Sequence, residues 1–289
     1  MTLCRTVSPD TVSVPQKRSF KMIIAVTDPE CGLGSAFTEE IIRRGHEAAD
    51  DIGVNLCNLS ELRSHFRMIH PDAVIHCREN TDDDIRAVHN LAQVCAGLNA
   101  ELMIISSSEV YGENCTAAEN KHPAPVTAYG RHKFECEKAF VKVWRKGYIL
   151  RMPDMIFGQG GDMDVVEAIL EEGSVSNDFI ADHCVRRCGV YAADAAELGV
   201  DIIESGMYGI YNCANEGYFT MFGFTCEVFR LARLAGHEGY YDITVSPGKE
   251  GGSSVILDCG AVREAGIEPL ENWRRALQRC IMSRVTAVR

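Results

Sequence analysis

Short apolar runs alternate with stretches of helical length and pattern along the first half of this chain, and few folds accept that rhythm. Lys21 to Thr27 encloses the run Met-Ile-Ile-Ala-Val and ends in a turn signal, after which Gly34 to Arg44 carries a helical pattern. His46 to Asp51 reads as a weaker strand, and Leu59 to Ile69 as an amphipathic helix with Ser60 as its cap. Ala73-Val74-Ile75-His76-Cys77 is a third strand, Asp83 to Leu98 a helix, and Glu101 to Ile105 a fourth strand. Strands that alternate with helices of this length pair in parallel, because each helix carries the chain back to the starting edge. The expected fold class is therefore α/β, a Rossmann-like doubly wound parallel sheet.

The second half continues the theme less regularly. Gly147 to Arg151 is a fifth strand, Met163 to Glu172 a short helix, and Gly209 to Ala214 a further strand. Thr220 opens a helix over Met221 to Ala235, and Val255 to Asp258 and the segment from Trp273 supply a last strand and closing helix. At 289 residues the chain can bury one large core or two modest ones. A formal net charge of −12 argues against a nucleic-acid partner, which rewards clustered Lys and Arg. No apolar run approaches the roughly 18 residues that span a bilayer, and residues 1–20 carry no apolar segment of secretory type. They read as a flexible extension. The 13 cysteines are scattered, with Cys184 and Cys188 the only close pair and no second pair to complete a zinc set. They are expected to be free thiols in a reducing cytoplasm, with no metal bound.

One stretch carries chemistry. The apolar run Leu102-Met103-Ile104-Ile105 passes into Ser106-Ser107-Ser108-Glu109-Val110-Tyr111-Gly112, and Tyr129-Gly130-Arg131-His132-Lys133 follows after a loop. Residues four apart lie above one another on a helix, which places the Lys133 ammonium beside the Tyr129 phenol. A phenol titrates near 10 unless a neighbouring cation favours its phenolate, as Lys133 would. Ser107, at the carboxyl end of the strand, offers a hydroxyl to orient a substrate carbonyl. A Tyr-x-x-x-Lys pair alone arises by chance in many helices; the strand, Ser-Ser-x-x-Val-Tyr-Gly, Pro125 shortly before Tyr129, and Tyr-Gly-x-x-Lys-x-x-x-Glu ending at Glu137 are together far more specific.

With these motifs the chain, over about residues 21–282, resembles the extended short-chain dehydrogenase/reductase family, and within it the dTDP-4-dehydrorhamnose reductases. Leu150-Arg151 followed by Ile156-Phe157-Gly158, and Cys188 to Ala196, strengthen the likeness. The resemblance implies a dinucleotide-binding domain over 21–160 with a return segment at about 186–213. It also implies a smaller substrate domain from 161–185 and 214–289, and a substrate cleft between the two. It further implies Tyr129 as proton donor, Lys133 as its partner and ribose ligand, Ser107 as carbonyl ligand, NAD or NADP as cofactor, and a nucleotide sugar as substrate. A homodimer is common in such proteins.

The same resemblance exposes departures. Where the family writes Thr-Gly-x-x-Gly-x-x-Gly, this chain has Thr27-Asp28-Pro29-Glu30-Cys31-Gly32-Leu33-Gly34, with Asp28 and Cys31 at the first two glycine positions. Thr27, Gly32, Leu33 and Gly34 remain as the expected pyrophosphate-side residues. Like charges about 5 Å apart repel by roughly 3 kcal/mol at an effective dielectric near 20, so Asp28 and Glu30 oppose a pyrophosphate there. Asp50 or Asp51 after the second strand would bond an adenosine ribose and lean toward NAD over NADP. Cys77-Arg78-Glu79-Asn80 replaces the small residues usual after the third strand, and Lys249 to Gly252 replaces an Arg-Pro before the last. Three functions therefore stand: a nicotinamide-dependent keto reductase of a nucleotide-activated sugar, a sugar-nucleotide epimerase or dehydratase, or a non-catalytic regulatory protein like the regulatory subunit of methionine adenosyltransferase. A related protein taking a different ligand, with Asp28 and Glu30 selecting against pyrophosphate, is the remaining variant.

Overall fold

The computed structural model describes residues 18, 20–50, 53–77, 83–160, 164–236, 243–248 and 254–287. Its first half runs β1 (Ile23–Thr27), α1 (Gly32–Arg43), β2 (Glu47–Asp50), α2 (Leu59–Ile69), β3 (Ala73–His76), α3 (Asp84–Leu98) and β4 (Glu101–Ser107). A single 3-10 turn, Ser108–Tyr111, leads to β5 (Cys115–Ala117), α4 (Ala128–Val143), β6 (Gly147–Met152), β7 (Met155–Phe157) and α5 (Val165–Val175). Then come β8 (Asp178–Asp182), β9 (Gly189–Tyr191), α6 (Ala192–Ser205), β10 (Gly209–Asn212), α7 (Met221–Leu234), β11 (Thr244–Gly248), β12 (Val255–Leu257), α8 (Gly260–Glu264) and α9 (Trp273–Ala287).

Six of the strands form one parallel sheet in the order β10-β6-β4-β3-β1-β2, which is the doubly wound α/β arrangement the sequence pattern implies. Every residue of β4 is buried, as a parallel strand covered on both faces requires. Its alternate residues serve two cores. Met103 and Ile105 join Ile24, Val26, Phe37, Ile41 and Ile202 under α1 and α6, while Leu102 and Ile104 join Val74, Leu91, Val94 and Phe140 under α3 and α4. A third core, with Phe157, Phe224, Phe229, Trp273 and Leu277, binds β7, α5, α7 and α9 together.

Several local expectations change. The cap of α2 is Asn58, whose side chain accepts from the Glu61 amide at 3.3 Å, and Ser60 lies inside the helix. Asn caps at least as well as Ser, so the earlier of the two residues starts the helix. Helix α1 begins at Gly32 rather than Gly34, because Cys31 turns its sulfur onto the Gly34 amide at 3.2 Å. Helix α5 runs from Val165 to Val175 behind an Asp164 cap, and Met163 lies outside the described residues. Three two-stranded pairs, β5 with β12, β7 with β9 and β8 with β11, escaped the sequence pattern in whole or part. They are short, and Pro247 sits within β11.

At the amino end of the chain Arg18 is docked. Its amide donates to Glu204 and its guanidinium meets Glu101 at 2.7 Å, where the phenols of Tyr148 and Tyr208 also converge. No helix among the described residues is long and apolar enough to cross a membrane.

Candidate active site

The sheet winds outward from β1 to β2 on one side and to β3 on the other, so the carboxyl ends of β1 and β3 flank the crevice where ligands of such sheets bind. Thr27 and His76 are neighbours in that register, and the Thr27 hydroxyl pairs with His76 Nδ1 at 2.8 Å. The Cys77 amide donates to the same hydroxyl at 3.2 Å. His76 Nε2 lies 3.1 Å from Asp84 Oδ1 at the start of α3. Burial alone would push the Asp84 carboxyl up; the His76 hydrogen bond and the charges of His76, Lys133 and His132 outweigh it and hold the group below the usual carboxylate range.

The turn after β1 has been rebuilt around the missing glycines. Asp28 takes the left-handed conformation, φ 58°, that a first glycine would adopt freely, and its carbonyl accepts from the Cys31 amide at 3.1 Å. A side chain at Gly34 would put its Cβ 2.2 Å from that carbonyl, so the third glycine keeps its helix-packing role. Gly32 serves a different neighbour: a Cβ there would meet the Gln159 carbonyl at 2.4 Å, so the loop after β7 lies directly against the start of α1.

The second group sits at the end of β4. Ser107 is its last residue, 4 % exposed, with Oγ accepting from the Glu109 amide at 3.1 Å. Helix α4 docks there because Gly130 lies under the Glu109 carbonyl, 2.5 Å from where a Cβ would stand, and because its cap Thr127 bonds the Glu109 carboxylate. Tyr129 and Lys133 stand one turn apart on this helix, with Nζ 5.7 Å from the phenol ring centroid. Lys133 is buried; its ammonium donates to the Ile105 carbonyl at 3.5 Å and lies 4.0 Å from Asp84 Oδ2. Asp84 thus links the β1–β3 crevice to α4.

A buried polar chain supports this end of the sheet. Glu137, one turn beyond Lys133, takes both Nε and Nη2 of Arg151 at 2.9 and 2.6 Å and the Ser106 hydroxyl at 2.6 Å. The Arg151 guanidinium lies 4.6 Å over the Tyr111 ring, and the Tyr111 hydroxyl donates to Asn212 Oδ1 at 2.9 Å. Burial pushes the Tyr111 phenol up to about 12, so it stays a neutral donor. Asn212 holds β10 by donating to the carbonyls of Ala117 and Asp258.

The family model described as RmlD substrate binding domain matches residues 22–285, nearly the whole chain. The chain belongs to this family. Among its relatives, dTDP-4-dehydrorhamnose reductase of Mycolicibacterium smegmatis is 25% identical over 290 residues, covering 91% of this chain and 86% of that protein. Methionine adenosyltransferase 2 subunit beta of Pongo abelii is also 25% identical, over 299 residues and the same shares of the two chains. The crystal structure of dTDP-4-dehydrorhamnose reductase from Bacillus anthracis in complex with NADP superposes with a TM-score of 0.81 at 20% identity, covering 91% of this chain and 99% of that one. The fold is thus that of the RmlD-type reductases.

Within this RmlD-family fold the sequence-derived residues fall into two groups. Ser107, Tyr129 and Lys133 come from β4 and α4, which pack together; Thr27, Gly32, Leu33 and Gly34 come from β1 and the first turn of α1. Asp50 ends β2, exposed, with its carbonyl facing His65 at 3.0 Å. Asp51, Arg78, Glu79, Asn80 and Lys249 to Gly252 lie outside the described residues. Reading the sequence missed His76, Asp84 and Gln159. His76 had a signal, a titratable residue closing a strand that is otherwise apolar; the other two had none, since their partners come from other elements.

Proposed function

We propose that this protein is a nicotinamide-dependent reductase of a keto group on a nucleotide-activated sugar, of the extended short-chain dehydrogenase/reductase type. The observation that carries the reading is the stacking of Lys133 on Tyr129, one helical turn apart, on a helix docked against the segment that follows Ser107. Tyr129 gives its phenolic proton to the keto oxygen, and the Lys133 cation favours the phenolate that results. Ser107 holds the carbonyl. The cofactor, when bound, supplies hydride. Thr27, Gly32, Leu33 and Gly34 hold it, with the pyrophosphate on the amino end of α1, and Lys133 and Tyr129 hold its ribose. The position of the turn at the sheet's switch point fits a dinucleotide. Asp50 favours NAD over NADP. The third core and its helices form the sugar-binding unit, and the protein acts in the cytoplasm as a homodimer.

A second reading rests on a specific observation: Asp28 replaces the first glycine and Gln159 lies against Gly32, so pyrophosphate affinity is lowered and the chain serves as a regulatory binding protein. Support for it includes the likeness to methionine adenosyltransferase 2 subunit beta. Calorimetric titration with NADH and NADPH separates the two. Micromolar binding followed by turnover of a dTDP-4-keto sugar is the expected result, and turnover without added reductant would mark an epimerase. The absence of heat at millimolar dinucleotide would overturn the reductase reading in favour of the regulatory one.

A further inference from the structure

Behind the Tyr129 face, α3 and α4 bring three metal-ligating side chains together that neither proposed function uses as such. One ligand atom from each of Asp84, His132 and Cys136 lies within 4.8 Å of those of the other two. His132 and Cys136 are four apart on α4 and so project from one face of the helix, while Asp84 reaches them from the first turn of α3. The separations are 3.7 Å from Oδ2 to the imidazole nitrogen and 3.7 Å from Oδ2 to sulfur. A tetrahedral ion with bonds of about 2.0–2.3 Å spans ligand edges of about 3.3–3.6 Å, so small side-chain shifts close the set.

Two further observations point the same way. His132 Nε2 is a buried nitrogen with no hydrogen-bond partner among the described residues, and 3.7 Å is too long for it to bond Asp84. The two oxygens of Asp84 are also divided in role. Oδ1 takes His76 Nε2 at 3.1 Å, which is how an outer ligand fixes a metal-binding carboxylate, and Oδ2 faces the imidazole and the thiol. The His132 side chain is 24% exposed, against 2% for Asp84, and gives an ion its way in.

We propose that Asp84, His132 and Cys136 form a binding site for a divalent transition metal of borderline softness, zinc before others. One carboxylate, one imidazole and one thiolate suit zinc, and three protein ligands leave a fourth position for water. Binding replaces the thiol proton of Cys136 by the metal, and the proton leaves to solvent. Lys133 Nζ stands 4.0 Å from the same Asp84 oxygen, so a bound ion takes that carboxylate from the lysine. On the reductase reading, the metal therefore lowers turnover; the binding itself does not depend on that reading.

The test is a Co2+ titration of the purified, reduced full chain followed by absorption. One equivalent is expected to give the intense near-ultraviolet band of a cobalt thiolate and the visible bands of tetrahedral cobalt, both displaced by Zn2+. Removing an outer ligand of a metal site costs about 10–100-fold in affinity, so His132→Ala and Cys136→Ser should each lose more than about 100-fold. His132 is part-exposed and its variant is the safer fold; thermal melts check both. No thiolate band overturns the proposal. So does a band that survives both substitutions, which would assign the ion to other thiols, such as Cys184 with its sulfur 3.7 Å from His183 Nε2.

Discussion

What sets the Tyr129 phenol apart for chemistry is the Lys133 ammonium held 5.7 Å from its ring centroid, and the hold comes from below. Lys133 is fixed by the Ile105 carbonyl and faces Asp84, so its charge cannot swing away to solvent. Tyr129→Phe is expected to cut turnover of a keto-sugar nucleotide by at least about 100-fold, far more than it weakens dinucleotide binding, since Lys133 still holds the ribose; steady-state rates beside calorimetry measure both. Undiminished turnover would remove the phenol from the chemistry. Glu137 makes a stability prediction of the same kind. Removing it strands a buried Arg151, and Glu137→Ala should cost about 3–5 kcal/mol by urea unfolding, against much less for a surface carboxylate such as Glu135. These residue-scale partnerships were the least legible part of the sequence. Ser107, Tyr129 and Lys133 could be read because their spacing repeats a helical turn after a strand. Asp84 with His76, and Glu137 with Arg151, could not, because each pair joins different elements and no periodicity marks it.

At the scale of elements, α1 shows how much packing a short turn controls. Its first residue, Gly32, touches the loop after β7, so Gly32→Ala must push Gln159 away or tilt the helix; a loss of about 1–3 kcal/mol in unfolding free energy, read from urea titration, is expected. The other end of α1 is clamped to α6. Arg44 reaches Glu40 at 2.7 Å, Asp201 at 2.7 Å and Glu204 at 3.1 Å. Burial would raise the Glu40 carboxyl, yet the hydrogen bonds and charges of Arg43 and Arg44 hold it below its ordinary value. A lowered folded-state value contributes stability above the unfolded value of about 4.3 that disappears as pH falls through the folded one. Glu40→Gln should accordingly flatten the acid limb of the stability curve, and urea midpoints taken stepwise from about pH 6 to pH 2 would reveal it. Identical slopes for the two proteins would show that the clamp carries no linkage. Most elements of the sheet were legible, since β1, β3, β4 and β6 are continuous buried runs. The pairings of β8 with β11 and β5 with β12 were not, although Val255 to Asp258 could be read as a strand, because strands of three to five residues hold their register by backbone bonds to distant segments.

At the scale of the whole molecule, Trp273 anchors the third core, built on β7, α5, α7 and α9. It packs against Phe219 and Phe224 with ring centroids 4.9 and 5.8 Å away. Trp273→Ala should cost about 3–5 kcal/mol. Trp144, which packs on the α3–α4 side of the sheet and donates to the Ala100 carbonyl, is then the only tryptophan left to report unfolding. A fall in the urea midpoint seen by Trp144 fluorescence would show that the cores melt as one, whereas an unchanged midpoint would mark the third core as an independent unit. The order of the sheet carries a last consequence, for the growing chain. After β2 has covered one flank of β1, each later strand of the sheet joins the opposite flank in order of synthesis: β3, then β4, then β6, then β10. The nascent polypeptide therefore always offers one open edge to the next strand leaving the ribosome, and no finished pairing has to part to admit a latecomer.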